Sequence, residues 1–137
     1  MNTSPASQRS LPDGSFRSKA VLIVEDEFLI RWSLRARLTA VGYAVLEAAD
    51  LAGARAIYQR ALDLVFLDVR LPDGDGIEFL AEFRMTRPNV PVIVMTAHGT
   101  SAMEALAAEA GAFAFVHKPF DLDEVVRLTQ RAAGPGS

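Results

Sequence analysis

The sequence predicts a doubly wound, three-layer α/β domain of five strand–helix units. Three observations lead there. Short runs of four to six apolar residues recur and carry no polar alternation, as strands buried on both faces do. Between them lie longer stretches with apolar residues at i, i+3 and i+4, the spacing of one helix face. Each connection is long enough for a helical crossover, which parallel pairing requires.

Ala20 to Val24 is the first strand. Glu27 to Val41 is a helix with Ile30, Leu34 and Leu38 stacked and Gly42 as its stop. Tyr43 to Ala48 is a second strand. Asp50 then caps a helix with Leu51, Ala54, Ile57, Tyr58 and Ala61 on one side. Leu64 to Leu67 is a short apolar strand, ended by Asp68. "LPDGDG" (Leu71 to Gly76) is a turn-rich loop, and Gly76 to Thr86 a helix with Ile77, Leu80 and Ala81 inward. Pro91 to Thr96 is a strand whose proline sits at its start, where no ladder donor is lost. Ser101 to Ala110 is an Ala-rich helix ended by Gly111. Phe113 to Val116 is the fifth strand, with Phe113 and Phe115 as core aromatics. Asp121 to Ala132 is the last helix, with Asp121 and Glu124 in a capping-box pattern. The domain therefore spans residues 19–132. Residues 1–18, rich in Ser, Pro, Asn and Gln, are expected to be a disordered leader, and 133–137 a linker stub or tail.

Composition narrows the function. The chain has 137 residues, 50% of them hydrophobic, and a formal net charge of −3. That length suits one domain with a core. No cluster of Lys and Arg marks a nucleic-acid surface. With no cysteine, thiolate catalysis and Cys-ligated metals are excluded. His98 and His117 are too few for a His-rich metal site. No apolar run approaches the roughly 18 residues of a membrane span, and no apolar secretory segment opens the chain. A cytoplasmic home follows as the expectation.

In a doubly wound sheet the working groups gather beyond the carboxyl ends of the strands. There the first strand delivers Glu25 and Asp26, the third Asp68, the fourth Thr96 and the fifth Lys118. Crowded carboxylates repel by roughly 4 kcal/mol per pair at about 4 Å and an effective dielectric near 20, so a cation is needed among them. Oxygen ligands without His or Cys point to Mg²⁺. A hydroxyl and an ammonium beside a strand-end carboxylate are what a transferring phosphoryl group requires, and Asp68 is the nucleophile candidate.

These stretches resemble the receiver domains of two-component response regulators, which have a flavodoxin-like fold. "VLIVEDE" resembles their acidic first strand end, and "LVFLDVRLPDGDG" the phosphoacceptor strand and its loop. "VPVIVMTAHG" resembles the fourth strand with its switch threonine, and "GAFAFVHKPF" the fifth with its Lys-Pro. The "IRWSL" helix start and the "MTAHGT…GAFAFVHKPFDLDEVV" stretch resemble receivers of the nitrogen-regulation type. The resemblance implies that Asp68 accepts a phosphoryl group from a sensor histidine kinase or histidine phosphotransfer protein. It implies Mg²⁺ held by Glu25, Asp26, Asp68 and the backbone carbonyl of Arg70, with Glu25, an Asp in many relatives, acting through water. Lys118 would contact the acyl phosphate, Thr96 and Phe115 would form the switch, and Arg70 and His98 would flank the site. The Lys118–Pro119 bond would be cis. A homodimer or effector contact would use the face of the fourth helix, fifth strand and fifth helix, where Met103, Leu106, Val125 and Val126 are candidates. Such a module signals and is not a turnover enzyme.

Other readings compete. Acids at a helix start also suit the macrodipole, and Glu27 is assigned that role. Asp73 and Asp75 are assigned to the turn and the helix cap. A pseudo-receiver that is never phosphorylated would lack part of the acid, Thr and Lys set. A Mg²⁺-dependent topoisomerase or primase-like enzyme would use "EDE" with the pair Asp73 and Asp75, but Lys118 has no role in it. A haloacid-dehalogenase-like phosphatase needs a second acid two residues past its nucleophile, where Arg70 stands.

Overall fold

Strand order in the sheet decides where chemistry can sit. A computed structural model describes residues 18–136. Strand β1 (Ala20–Val24) leads into α1 (Phe28–Ala40), β2 (Ala44–Ala48), α2 (Leu51–Ile57) and β3 (Leu64–Asp68). A small ribbon of β4 (Arg70–Leu71) and β5 (Gly74–Asp75) precedes α3 (Gly76–Thr86). The chain continues through β6 (Val92–Thr96), α4 (Ser101–Glu109), β7 (Ala114–His117) and α5 (Leu122–Ala133). The main sheet has five parallel strands in the order β2-β1-β3-β6-β7. Growth runs from β1 outward to β2, then crosses back to β3 and proceeds the other way. A crevice opens at such a reversal, past the carboxyl ends of β1 and β3.

Both faces of the sheet are buried. Leu22, Val24, Val65, Leu67, Val92 and Val94 pack into one cluster with Phe79 and Phe83 of α3. Val21, Ile23, Leu64, Phe66, Ile93 and Met95 pack into the other with Leu34 and Leu38 of α1 and Val125 of α5. Successive residues of a strand point to opposite faces, which is why the central strands show no polar position before their last residues, Asp68 and Thr96. No helix among the described residues is long and apolar enough to cross a membrane.

Several local expectations need correction. Helix α2 stops at Ile57 with Tyr58 as its C-cap, so Ala61 is outside it and exposed; Leu62 is the buried residue there. In α3 the inward stripe is Gly76, Phe79, Leu80 and Phe83, while Ala81 is exposed and Ile77 half-buried. The larger phenyl rings claim the sheet because they bury more apolar area than alanine. The "LPDGDG" loop contains the β4–β5 ribbon. Phe113 precedes β7 and is 44% exposed, so it is not a core residue, and Phe115 is half-buried. Asp121 caps α5 through the amide of Asp123, one residue short of the Glu124 amide of a capping box. The last helix includes Ala133, and the Tyr43 hydroxyl donates to the Gly134 carbonyl at 2.5 Å. The expected leader, residues 1–18, lies outside the described residues except for Ser18, and so does Ser137 of the expected tail.

Candidate functional site

Strand register assembles the site. Val24, Leu67, Val94 and Phe115 form one row across β1, β3, β6 and β7. One residue further along, Asp68 pairs with Met95 and Met95 with Val116. Glu25 follows Val24, and so stands level with Asp68. By the two-residue alternation of strands, Glu25 and Asp68 continue the face of Ile23 and Phe66, on the side of α1 and α5. Lys118, two residues past Val116, belongs to the same face. Thr96 and Phe115 belong to the opposite one, with Val94.

Lys118 is the centre of this arrangement. Its Nζ donates to Glu25 Oε1 at 2.5 Å and to Asp68 Oδ2 at 3.1 Å, and lies 3.8 Å from Glu27 Oε1. Glu27, the N-cap residue of α1, makes no side-chain cap bond. Glu25 is 0% exposed and Asp68 5%. Burial pushes the Glu25 carboxyl up to about 7 and the nearby Asp68 adds to this, against the pull of Lys118 and the Glu27 amide. Burial disfavours the Lys118 charge, but contact with Glu25 and Asp68 outweighs it and holds the ammonium above its ordinary value. The Lys118–Pro119 peptide bond is cis.

Oxygen atoms of Glu25, Asp26 and Asp68 all lie within 4.8 Å of one another. They are hard donors of the kind Mg²⁺ takes, and Asp26 is exposed toward the cleft mouth. Glu25 is differently placed: Lys118 occupies one of its oxygens and the Glu27 amide, at 3.0 Å, the other. A carboxylate engaged on both oxygens suits a ligand acting through water. A cleft of about 250 Å³ is lined by Asp26, Asp68, Arg70, Thr96, His98 and Lys118, among others. Arg70 N–H donates to Asp68 Oδ1 at 3.3 Å. Thr96, 1% exposed, accepts from the His98 amide at 3.2 Å, which leaves its own hydroxyl proton free to donate into the cleft.

Asp73 and Asp75 are not in the cluster. Asp75 caps α3 through the Ile77 amide, and Asp73 takes the amides of Leu51 and Ala52. That removes the spaced acid pair which a topoisomerase or primase-like site needs. His117 bonds Glu104 of α4 at 2.7 Å and meets the Phe115 ring edge-on at 5.3 Å between centroids.

Three supporting residues were not anticipated. Arg31 Nη1 donates to the Glu25 carbonyl at 2.7 Å and Nε to Glu47 at 2.9 Å, which holds the exit of β1. Gly76 lies against the end of β3, where a Cβ would come 2.2 Å from the Asp68 carbonyl oxygen. A Cβ on Gly99 would meet the His117 ring at 2.7 Å and the Phe115 ring at 3.0 Å, so any larger residue there would have to displace those rings. A lone Arg in a helix gave no signal, whereas the two glycines were visible and their close neighbours were not.

Comparison with known proteins agrees with this geometry. Residues 21–130 match the response regulator receiver domain family. The chain belongs to that family. This receiver is 35% identical over 113 residues to the DNA-binding transcriptional regulator NtrC of Escherichia coli strain K12, covering 82% of this chain and 24% of that protein. It thus spans about a quarter of the length of such curated relatives, which are of the nitrogen-regulation type. Among solved structures it resembles a CheY-like receiver domain from Methanospirillum hungatei JF-1, with a TM-score of 0.81, 28% identity, and coverage of 84% and 93% of the two chains. It also resembles the beryllofluoride-activated receiver domain dimer of NtrC4, with a TM-score of 0.79, 35% identity, and coverage of 83% and 95%. The receiver is a signalling domain, and its fold is flavodoxin-like as expected.

Proposed function

We propose that this receiver accepts a phosphoryl group on Asp68 from a sensor histidine kinase or histidine phosphotransfer protein, with Mg²⁺ as cofactor. The observation that carries the reading is one buried lysine bonded to two buried carboxylates at the mouth of a cleft. Lys118 ties Asp68 Oδ2, so the more weakly held Oδ1 is the attacking atom. Its lone pair forms the new P–O bond as the P–N bond of the phosphohistidine breaks, and the P–N electron pair leaves on an imidazole already protonated at its other ring nitrogen, which departs neutral. Asp26, Asp68 and the Arg70 carbonyl would hold Mg²⁺ directly and Glu25 through water. The bound ion would offset the charge of the phosphoryl oxygens. Lys118 and the Thr96 hydroxyl then donate to those oxygens. Arg70 and His98 line the entrance and govern how water reaches the product.

Drawing Thr96 toward the phosphoryl group vacates space on the side of Phe115. That biases the face of α4, β7 and α5, where Leu106 is 55% exposed and Val125 lies beneath. The output is a shifted population of two conformations. A second copy or an effector would read that face; the NtrC4 receiver, activated with beryllofluoride, is a dimer. A cytoplasmic location fits a kinase partner.

Mass spectrometry after incubation with acetyl phosphate and Mg²⁺ tests this. One phosphoryl group should appear on the wild type and none on Asp68→Asn. An unmodified wild type would favour the pseudo-receiver reading. For the switch, beryllofluoride should move backbone amide resonances on the α4–β7–α5 face, and an unchanged spectrum there rules it out.

A further inference from the structure

The β4–β5 ribbon follows the nucleophile strand directly, yet has little to hold it. It pairs at two positions, Arg70 with Asp75 and Leu71 with Gly74. Of residues 70–75 only Leu71 is more than marginally covered; the others are exposed. A two-stranded ribbon by itself is marginal in water. Its tip is nevertheless moored. Asp73 Oδ1 accepts from the Leu51 amide at 2.8 Å and Oδ2 from the Ala52 amide at 3.0 Å. Both amides belong to the first turn of α2 and have no partner within that helix. They hold the Asp73 carboxyl below its ordinary value, so the bonds are of the stronger, charge-assisted kind. Gly74 backs onto the same turn, at φ +157° and so close that a Cβ would lie 2.8 Å from Leu51 Cδ1. Helix α2 already has its own cap, because Asp50 accepts from Gly53 at 2.7 Å. What the Asp73 bonds add is the position of the ribbon.

We propose that Asp73 is a positioning residue for the cation and phosphoryl site, anchoring the ribbon so that the Arg70 backbone keeps its place beside Asp68. The inference rests on the Mg²⁺-dependent reading above. The other end of the ribbon is held independently: Gly76 N–H donates to the Val69 carbonyl at 2.7 Å, and Asp75 caps α3. With both ends fixed, the Arg70 carbonyl has little freedom, and its amide stays directed at Asp68 Oδ1. Mg²⁺ demands near-ideal octahedral geometry, so a small displacement of one ligand is felt in affinity. Loss of Asp73 frees the tip while leaving every ligand atom in the chain.

The test uses the full chain, stripped of metal, and four proteins: wild type, Asp73→Ala, Asp73→Asn and Asp50→Ala. Calorimetric titration gives the Mg²⁺ Kd, and acetyl phosphate labelling is followed at low and saturating Mg²⁺. Asp73→Ala should raise the Kd about 10-fold, the lower end for residues that orient metal ligands. Its labelling should be slow at low Mg²⁺ and recover at saturation. Asp73→Asn, which keeps one acceptor oxygen, should fall between. Asp50→Ala removes the other cap of the same helix and should lower Tm without moving the Kd by more than about 2-fold. Equal Kd values for Asp73→Ala and wild type overturn the proposal, as does an equal rise in Asp50→Ala. If Asp73→Ala does not fold, Asp73→Asn decides by the same comparison. A wild type that neither binds Mg²⁺ nor takes a phosphoryl group overturns the underlying reading itself.

Discussion

Two ion-pair assemblies in this molecule use the same chemistry for different ends. At the cleft, the Lys118 side chain is 7% exposed and bonds the side chains of Glu25, at 0%, and Asp68, at 7%. On the outer surface, Arg55 of α2 grips Glu82 of α3 through two bonds of 2.8 and 2.9 Å, with exposures of 45% and 39%. The Arg55 guanidinium also covers the Phe79 ring at 5.4 Å. Desolvation is the main difference. The outer pair keeps its water, so forming or losing it changes little. The inner group has lost its water, and once Glu25 is ionised it carries more negative than positive charge, so it then stores unfavourable energy. The outer pair joins two helices, whereas the inner one holds two buried carboxylates together at the expense of stability.

Removing Lys118 should have the largest effect. Lys118→Ala leaves two buried carboxylates without a counter-charge and should lower the unfolding free energy by about 3 kcal/mol in urea titrations, as breaking buried pairs does. Phosphoryl uptake should also fall sharply. A loss below about 1 kcal/mol would put the inner cluster in the same class as the outer pair.

Asp68→Asn should act in the opposite direction. It removes one of the crowded carboxylates and should raise the metal-free protein's stability by on the order of 1 kcal/mol. The Mg²⁺-dependent rise in Tm should disappear in the same variant. A destabilised Asp68→Asn would mean that its bond to Lys118 outweighs the repulsion.

pH should separate the two assemblies by sign. In the folded chain Glu25 titrates near 7 rather than 4.5, so between those values the native state holds a proton that the unfolded chain has released. Its contribution therefore declines as pH rises through that window. Glu82 is lowered, first by its bond to Arg55. Its contribution is present above the ordinary carboxylate value and is lost as pH falls through the lowered one. Urea midpoints in chelator, compared between wild type and Glu25→Gln at about pH 5 and about pH 7, should converge at the lower pH apart from a constant offset. Parallel curves would show that Glu25 does not titrate there.

The smallest effect belongs to the outer pair. Arg55→Ala should lower the urea midpoint only slightly, and added salt should reduce the difference. A larger loss would mean that the guanidinium packs on Phe79 more than it pairs with Glu82.

How much of this was legible depends on the kind of residue. Glu25, Asp26, Asp68, Thr96 and Lys118 could be located in advance because each ends an apolar run or stands within two residues of its end, and parallel strands bring such ends to one edge. On the inward face of α3 Leu80 and, at its margin, Ile77 were read correctly, but Ala81 was wrongly included and Phe79 and Phe83 were missed, because both sets fit a helical stripe. Periodicity does not weigh one ring against one methyl. Asp73 looked like an ordinary turn residue, since its partners, Leu51 and Ala52, lie more than twenty positions earlier.

The order of apolar runs and glycine stops was enough to dictate a five-stranded parallel sheet with acids, a hydroxyl and an amine at one edge, because buried strands and crossover helices leave few alternatives. Contacts between distant segments were decided only on folding. Which carboxylate is sealed against Lys118, which faces the cleft, and which aspartate moors the β4–β5 ribbon all depend on register and on which groups lose their water. Those are properties of neighbours in space, and a linear chain carries no record of them.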